Sequence, residues 1–299
     1  MTRGSWTFAL ALAIVPLAAG TEVLAIRWTP RELSSDQYES SPTFSADGRE
    51  IVFMRSDTRF DHYRLLASRC DGGHWTPPRP PSFAAQPPVL EADPFLAPDG
   101  TRLYFVSSRF AFAEGRGHDD LDIFVVERTP GGGWGEPRRL PEPVNSTAAE
   151  LLPRTDGEGR LYFGSSRPGG HGQGDIYRAM PGPQGTWSVE NVGPPVSTAA
   201  NEYEAEVSRD GRTLIVVADR GDRSHLYRFA RENGAWVEKG RVPAFAHVFQ
   251  VGPLLSPRAD RLLFAQADAK DSGEIFVADL APGADLDWPP SCGGPPIAR

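Results

Sequence analysis

Short apolar stretches, each a few residues long, recur along the chain and are separated by polar, turn-forming residues. Such stretches indicate β-strands with a buried face, because side chains along a strand point alternately to its two faces. The clearest examples are Ile51-Val52-Phe53, Leu103-Tyr104-Phe105, Leu161-Tyr162-Phe163, Leu214-Ile215-Val216 and Leu262-Leu263-Phe264. The pattern predicts an all-β chain built from many short strands.

Each of these strands is the second member of a longer repeated unit. A first strand precedes it, as at 42–45 and 93–96, and a turn joins the two strands. The turns are Asp47-Gly48, Asp99-Gly100, Asp156-Gly157, Asp210-Gly211 and, in degenerate form, Arg258-Ala259-Asp260. Asp and Gly suit this position because both tolerate a positive φ. Third strands are predicted at 63–66, 123–126, 176–178, 226–229 and 275–277.

A tryptophan marks the fourth strand of each unit and recurs about every 50 residues. The six positions are Trp28, Trp75, Trp134, Trp187, Trp236 and Trp288. Four short strands in such a period form one blade of a β-propeller. We predict a single propeller domain over residues 26–290 with five four-stranded blades, in which the strand at Trp28 or the one at Trp288 closes the last blade. A six-bladed ring with one stunted blade is the alternative, and residues 291–299 form a C-terminal tail.

Segments 41–48, 93–105 and 161–170, the last followed by 175–177, resemble the WD-like β-propeller repeat of TolB-type periplasmic proteins. The resemblance extends over residues 26–290 and implies a cell-envelope propeller that works through contacts with other macromolecules. This chain departs from the TolB pattern in two ways. TolB-type proteins carry an α/β domain before the propeller, for which residues 21–37 leave no room, and their propeller has six blades.

The N-terminus has the pattern of a signal peptide. Arg3 supplies the positive start, an apolar stretch covers residues 6–19, and small residues offer a cleavage site after residue 20, or as late as residue 25. The apolar stretch is short for a membrane span, which needs about 20 residues. We therefore expect a periplasmic or secreted protein without a stable membrane span.

The charge balance narrows the choice of partner. The chain has 39 acidic and 31 basic residues, which disfavours nucleic acid and anionic lipid because both require a positive surface. Cys70 and Cys292 are the two cysteines. They become neighbours if the array closes into a ring, which allows a disulfide, and two free thiols are the other interpretation.

One acidic position recurs once per unit, just before the first strand. It holds Glu39, Glu91, Glu150, Glu202 and, in the fifth unit, Gln250. A second position, just past the second strand, holds Asp57, Arg109, Arg167, Arg220 and Asp268. Hairpin pairing predicts the ion pairs Glu91–Arg109, Glu150–Arg167 and Glu202–Arg220. Two hypotheses follow: the pairs stabilise the open end of each hairpin, or the acids form a ring of carboxylates at one rim of the channel.

The loops between second and third strands reach the same rim. They bring His118, Asp119, Asp120 and Asp122 in the second unit, and His171 and Asp175 in the third. In the first unit Glu39 faces Asp57, so two acids would lie close together without a direct basic partner. Repulsion between their charges would then raise the pKa of one of the two carboxyls. The alternative is that Arg55 or Arg59, nearby in sequence, neutralises them.

The sequence contains no motif for a nucleophilic, zinc or phosphate-binding site, and we assign no catalytic residue, metal or cofactor. The first hypothesis is an exported, monomeric binding or scaffold protein that contacts a protein or a cell-envelope polysaccharide through the channel rim. The second is a polysaccharide-acting enzyme that uses channel carboxylates. The third is a lectin whose tryptophans stack on sugars. The even spacing of the tryptophans instead favours a role in packing between blades.

Overall fold

The computed structural model describes residues 25–115, 120–242, 247–267 and 273–293. These residues form twenty strands, the short helix α1 (Arg109–Ala113) and one 3-10 turn, Pro183–Gly185. The predicted all-β class is confirmed. The expected signal peptide, residues 1–20, lies outside the described residues.

The described strands group into five antiparallel units of four strands, and a parallel bridge between Tyr38 and Gly273 joins the first and fifth units into one eight-stranded sheet. The first consists of β2 (Tyr38–Phe44), β3 (Glu50–Ser56), β4 (Tyr63–Asp71) and β5 (His74–Trp75). The second consists of β6 (Glu91–Leu96), β7 (Arg102–Ser107), β8 (Asp122–Glu127) and β9 (Arg138–Arg139). The third consists of β10 (Glu150–Thr155), β11 (Leu161–Ser165), β12 (Asp175–Pro181) and β13 (Trp187–Asn191). The fourth consists of β14 (Asn201–Val207), β15 (Thr213–Asp219), β16 (Ser224–Glu232) and β17 (Ala235–Arg241). The fifth consists of β18 (Gln250–Leu255), β19 (Arg261–Ala267), β20 (Gly273–Asp279) and β1 (Ile26–Arg27).

The hairpin turns form because their residues suit a left-handed backbone. Gly100 has φ of 70°, its N–H donates to Ala97, and the Asp99 carboxylate accepts the Thr101 N–H at 2.9 Å. In the degenerate fifth turn Ala259 takes the left-handed conformation, with φ of 54°. The repeat therefore keeps its turn geometry even where the glycine is lost.

The first strands of the five units contact one another in a closed cycle, in the order β2, β6, β10, β14, β18 and back to β2. These strands surround the central channel. The fifth unit is completed by β1, which pairs with β20 so that Ile26 lies opposite Val277. The strand that ends just before Trp28 therefore closes this unit. The segment around Trp288 instead packs in a cluster with Trp28 and Trp75.

A disulfide adds a second closure. Cys70 at the end of β4 is bonded to Cys292, 222 residues later, with 5.3 Å between their Cα atoms. This finding decides between the two interpretations of the cysteines. The bond ties the segment that follows the fifth blade to the first blade, and β1 ties the start of the domain to the fifth.

We expect the double substitution Cys70→Ser and Cys292→Ser to lower the free energy of unfolding by about 3 kcal/mol, since a crosslink over a long loop restricts the unfolded chain. Urea unfolding monitored by tryptophan fluorescence measures the change. Dithiothreitol should destabilise the wild type by a similar amount and leave the double variant unaffected. Equal unfolding midpoints for the two proteins would contradict the prediction.

Candidate functional site at the channel mouth

The recurring glutamates lie at the start of the innermost strands and are buried. Glu91 pairs with Arg109, and Glu150 accepts from Arg167 Nη2 at 2.9 Å, so two of the three predicted ion pairs are confirmed. Glu150 also accepts the Ser146 hydroxyl at 2.6 Å. Burial raises the pKa of the Glu91 and Glu150 carboxyls, while the arginines and hydroxyl donors oppose this effect.

The third predicted pair, Glu202–Arg220, is wrong. Arg220 donates to Glu238 at 2.9 Å, and its guanidinium lies over the Tyr227 ring, 3.8 Å from the centroid. Glu202 instead accepts from the backbone N–H and the hydroxyl of Thr198.

The physical reason is the residue opposite each glutamate. Ser107 lies opposite Glu91, and Ser165 lies opposite Glu150. Each serine hydroxyl accepts from the Nε of its blade's arginine, which holds the guanidinium inward. The fourth blade has Ala218 at this position. Without a hydroxyl to hold it, the arginine side chain extends to the outer strand.

The expectation that Glu39 faces Asp57 without a basic partner is also wrong. Strand register places Arg55 directly opposite Glu39, and the Arg55 Nε lies 2.6 Å from the carboxylate. Asp57 lies further out and pairs with His62 Nδ1 at 2.7 Å. The hydrogen bond from His62 is the main cause that lowers the pKa of Asp57. Arg55, the alternative partner, therefore neutralises Glu39.

The loop residues named from the sequence have partners within their own blades. Asp122 is buried and pairs with Arg139 Nη2 at 2.6 Å. Asp175 is buried and accepts a hydrogen bond from the backbone N–H of His171. His171 itself is exposed. His118, Asp119 and Asp268 lie outside the described residues. The recurring charges thus belong to the framework of the blades, and the glutamate side chains do not lie on an accessible rim.

The residue after each glutamate, or after Gln250 in the fifth unit, faces the channel instead. These five residues are Ser40, Ala92, Leu151, Tyr203 and Val251, and they line a cavity of about 250 Å³ at the channel mouth. Phe60, Tyr63 and Phe249 add aromatic walls, and the carboxyl groups of Asp93 and Glu204 line the same cavity. We call this cavity the cup. It opens on the face where the innermost strands begin.

A β-bulge shapes the cup in every innermost strand. Each strand has one extra residue after the glutamate or glutamine position, relative to its partner strand. In four of the five described innermost strands the bulge holds a residue with positive φ: Ser41, Asp93, Leu152 and Gly252. The bulge breaks the ladder and frees backbone groups to bond outside their own blade.

Side chains of neighbouring blades satisfy the groups that the bulges free. Asp93 accepts the Ser41 hydroxyl at 2.9 Å and the Leu152 N–H at 3.1 Å. Glu204 accepts the Gly252 N–H at 2.7 Å. The two acids that line the cup thus join the second blade to the first and third, and the fourth to the fifth. They hold the bulges in place as well as shaping the cavity.

Below the cup, a buried ion pair fills the channel. Arg154 is fully buried, and its Nε lies 2.8 Å from Glu206 Oε2. The guanidinium also donates to the Pro153 carbonyl at 3.0 Å and lies over the Phe95 ring. The cup is therefore a pocket with a floor and not the entrance of an open pore.

Burial shifts the acids of the channel towards their neutral forms. It raises the pKa of Glu204 to about 8, with the Asp93 charge adding to the effect and the Gly252 N–H and Arg154 opposing it. Burial likewise raises the pKa of Asp93, and it raises the pKa of Glu206 to about 7. The charge of Arg154 opposes the effect of burial at both acids.

The tryptophans are packing residues. Trp28, Trp75 and Trp288 are buried, and Trp134, Trp187 and Trp236 are partly buried. The Trp134 ring lies 3.7 Å beneath the guanidinium of Arg128. None of these six rings is among the exposed residues of the described chain, so the lectin hypothesis loses the sugar-stacking surface on which it depended.

The cup residues on the innermost strands lie one or two positions after the recurring glutamate or glutamine that the sequence pattern singled out. One signal was available: the fourth unit reads Glu202-Tyr203-Glu204-Ala205-Glu206, and all three acids are buried in this innermost strand. Asp93 stands out in the same way in the second unit, where it precedes the strand-one proline. Buried acids without an adjacent base in sequence would have indicated the channel.

We expect the protein to lose stability as pH rises from about 5 to 8. Because the folded-state pKa of Glu204 is raised from 4.5, the folded state keeps a proton there that the unfolded state has lost. The free energy of unfolding then falls with pH, by at most about 1.4 kcal/mol per pH unit for one group. Glu204→Gln should make this decline shallower in urea unfolding at several pH values. The exposed control Glu190→Gln should follow the wild type, and a Glu204→Gln profile parallel to the wild type would contradict the assignment.

Two kinds of feature are missing from the described residues. No helix there combines the length and apolar character that crossing a bilayer requires. No group of three or more His, Cys, Asp or Glu side chains there is arranged to hold a metal ion.

Comparisons with known proteins identify the fold. No protein-family profile matches the chain, and no curated protein sequence matches it. Among solved structures, a family 117 glycoside hydrolase from Zobellia galactanivorans aligns with TM-score 0.55 and 13% identity over 89% of this chain and 93% of its own. A putative TolB from Agrobacterium tumefaciens aligns with TM-score 0.51 and 17% identity, covering 82% and 78%. TolB from Acinetobacter baumannii aligns with TM-score 0.50 and 15% identity over 83% of this chain, which spans 56% of that protein's length. The chain therefore has the TolB-like β-propeller fold.

Proposed function

We propose that this chain is an exported, monomeric binding protein that contacts a protein or a cell-envelope polysaccharide through the cup. The observation that supports it is the cup itself, which combines aromatic and apolar walls with two convergent carboxyl groups. Concave, largely apolar sites with a few placed polar groups are typical ligand sites. The signal-like sequence at residues 1–20 and the Cys70–Cys292 disulfide both fit export, because disulfides persist in oxidising compartments.

Binding is favoured over catalysis by the hydrogen bonds of Asp93. Both of its carboxyl oxygens accept from neighbouring blades, one from Ser41 and one from Leu152. A carboxylate held in this way is suited to shaping and charging a pocket. It is less suited to transferring protons or forming a covalent bond to a substrate.

A photocrosslinker in place of Phe60 is expected to form an adduct with a cell-envelope component in living cells. Phe60 lines the cup and is only partly buried, so the substituted ring should reach a bound partner. The matched control carries the crosslinker in place of Ala46, an exposed residue at the opposite mouth of the channel. Adducts are compared by mass after ultraviolet irradiation. Equal adducts from both positions, or none from Phe60, would count against the proposal.

A polysaccharide-acting enzyme is the second candidate, and one observation favours it. Asp93 and Glu204 line one aromatic-walled cavity, and both have a raised pKa, as the general acid of a glycosidase requires. The family 117 glycoside hydrolase of Zobellia galactanivorans has a similar fold. The similarity extends to the fold alone at 13% identity.

If this second candidate is right, the purified protein should release reducing ends from an envelope or marine polysaccharide. Glu204→Gln should then lower the rate at least about a hundredfold, since general acid catalysis contributes factors of this size. Glu190→Gln, on the exposed face of β13, should keep the rate of the wild type. Reducing-sugar assays over a panel of polysaccharides provide the measurement, and activity that survives Glu204→Gln would exclude this mechanism.

A further inference from the structure

The channel holds more acidic than basic groups. Asp93, Glu204 and Glu206 are buried there, and Arg154 is the basic side chain that acts on all three. Arg154 lies in ion-pair contact with Glu206. In the described part of the chain, no ion pair within 4 Å joins Asp93 or Glu204 to a basic side chain. Among the described residues, these two acids therefore have no basic side chain in ion-pair contact, and a cation bound in the cup would provide one.

Phe60, Tyr63 and Phe249 form one side of the cup, and Tyr38 packs against Phe60 and Phe249 from outside the lining. Tyr38 stacks on Phe249 with 5.6 Å between ring centroids, and Phe60 lies 4.7 Å from Tyr38 and 5.7 Å from Phe249. Tyr63 contacts Phe60 at 6.4 Å. Aromatic faces attract cations, and they also pack well against methylene groups. An apolar stem that ends in a cation fits both properties of this wall.

Two buried hydroxyl groups provide an independent observation. Ser40 lines the cup and is fully buried, and its Oγ has no hydrogen-bond partner among the described residues. The Oη of Tyr38, whose ring stacks on Phe249 behind the cup wall, also has no hydrogen-bond partner among the described residues. A buried polar atom without a partner costs about 1–3 kcal/mol, so such atoms indicate a missing partner. The Ser40 hydroxyl oxygen, which lines the same cavity as two carboxyls, is suited to accept a hydrogen bond from a donor-rich group.

We propose that the cup binds an alkylammonium group, that is, a protonated primary amine on an apolar stem. The ammonium head lies between Asp93 and Glu204 and donates to Ser40 Oγ, and the stem packs on Phe60 and Phe249. An ammonium has three donors and no acceptor, which matches two carboxyls and one hydroxyl. The inference rests on the proposed function, because it names the chemistry that a partner presents to the cup. Two sources share this chemistry: a lysine side chain of a protein, and a free alkylamine.

Binding of the cation should release a proton. Glu204 interacts with Asp93, Arg154, Tyr38, Tyr203 and the Gly252 N–H. Burial outweighs the favourable partners and raises the pKa of Glu204 to about 8, so the carboxyl is protonated at neutral pH. An alkylammonium stays charged up to about pH 10. A bound cation favours the ionised carboxylate, so affinity should rise with pH up to about 8, by at most about tenfold per pH unit. Above pH 8 the affinity should level off.

Isothermal titration calorimetry of the whole exported chain with n-butylammonium tests the proposal. We expect binding that strengthens from pH 6 to pH 8 and a proton release that depends on the ionisation enthalpy of the buffer. Butan-1-ol, which has the same stem without the charge, should bind at least about tenfold more weakly. A short peptide with one lysine and its acetyl-lysine counterpart separate the two sources: tighter binding of the lysine peptide than of butylammonium indicates a protein partner, and the reverse indicates a free amine.

Glu204→Gln should weaken butylammonium binding at least about tenfold and abolish its pH dependence, because glutamine keeps an acceptor for the Gly252 N–H but carries no charge. Phe249→Leu, a change in the wall alone, should weaken binding without abolishing the pH dependence. The exposed control Glu190→Gln should bind as the wild type does. Circular dichroism and thermal unfolding establish that each variant is folded.

Failure of butylammonium to bind the wild type, or binding that is the same in Glu204→Gln, would overturn the inference. The proposed function would still stand if Phe60 gave a specific adduct with an envelope component, since that experiment requires no ammonium group. Conversely, ammonium binding without any adduct would support a small amine as the ligand and remove the macromolecular partner. The two proposals therefore fail by different results.

Discussion

The β-bulge in each innermost strand is the constraint on which the rest of the structure depends. One extra residue per strand turns the backbone into the left-handed region at Ser41, Asp93, Leu152 and Gly252. This conformation is costly for residues other than glycine, so it persists where the surroundings hold it. The side chains of Asp93 and Glu204 do so by bonding to the neighbouring blade. The same contacts bring two carboxyl groups to the channel mouth, and packing of the blades and shape of the cup therefore have one origin.

The fold was largely predictable from the sequence, because it depends on features that repeat. The Asp-Gly turns, the apolar second strands and the evenly spaced tryptophans each occur once per blade, and a repeated signal is strong even where one copy is degenerate, as at Ala259. The identity of the closing strand was not predictable in this way. Segments near Trp28 and Trp288 look alike in sequence, and only the pairing of Ile26 with Val277 distinguishes them.

The sequence predicted that the site lies at the start of the innermost strands, but it did not predict which residues form it. The glutamates are prominent in the sequence because they repeat once per blade. This repetition reflects a structural role, since Glu91 and Glu150 each bond to a loop, a serine and an arginine. The cup residues differ from blade to blade, which hides them in an alignment of repeats. The bulge also shifts the alternation of faces by one residue, and a bulge has no clear sequence signal here apart from the proline that follows in four units. The failed Glu202–Arg220 pair depended on a single hydroxyl, absent at Ala218, that pairing rules do not consider.

Our proposal is that a ligand binds in the cup and not at the ring of glutamates. Carbon-13 NMR of the glutamate side-chain carboxyls, recorded across pH with and without n-butylammonium, tests this proposal most directly. We expect the Glu204 carboxyl to titrate near pH 8 and its pKa to fall when the cation is added. The signals of Glu91 and Glu150 should not change when the cation is added. A response of Glu91 and Glu150 with no change at Glu204 would contradict it.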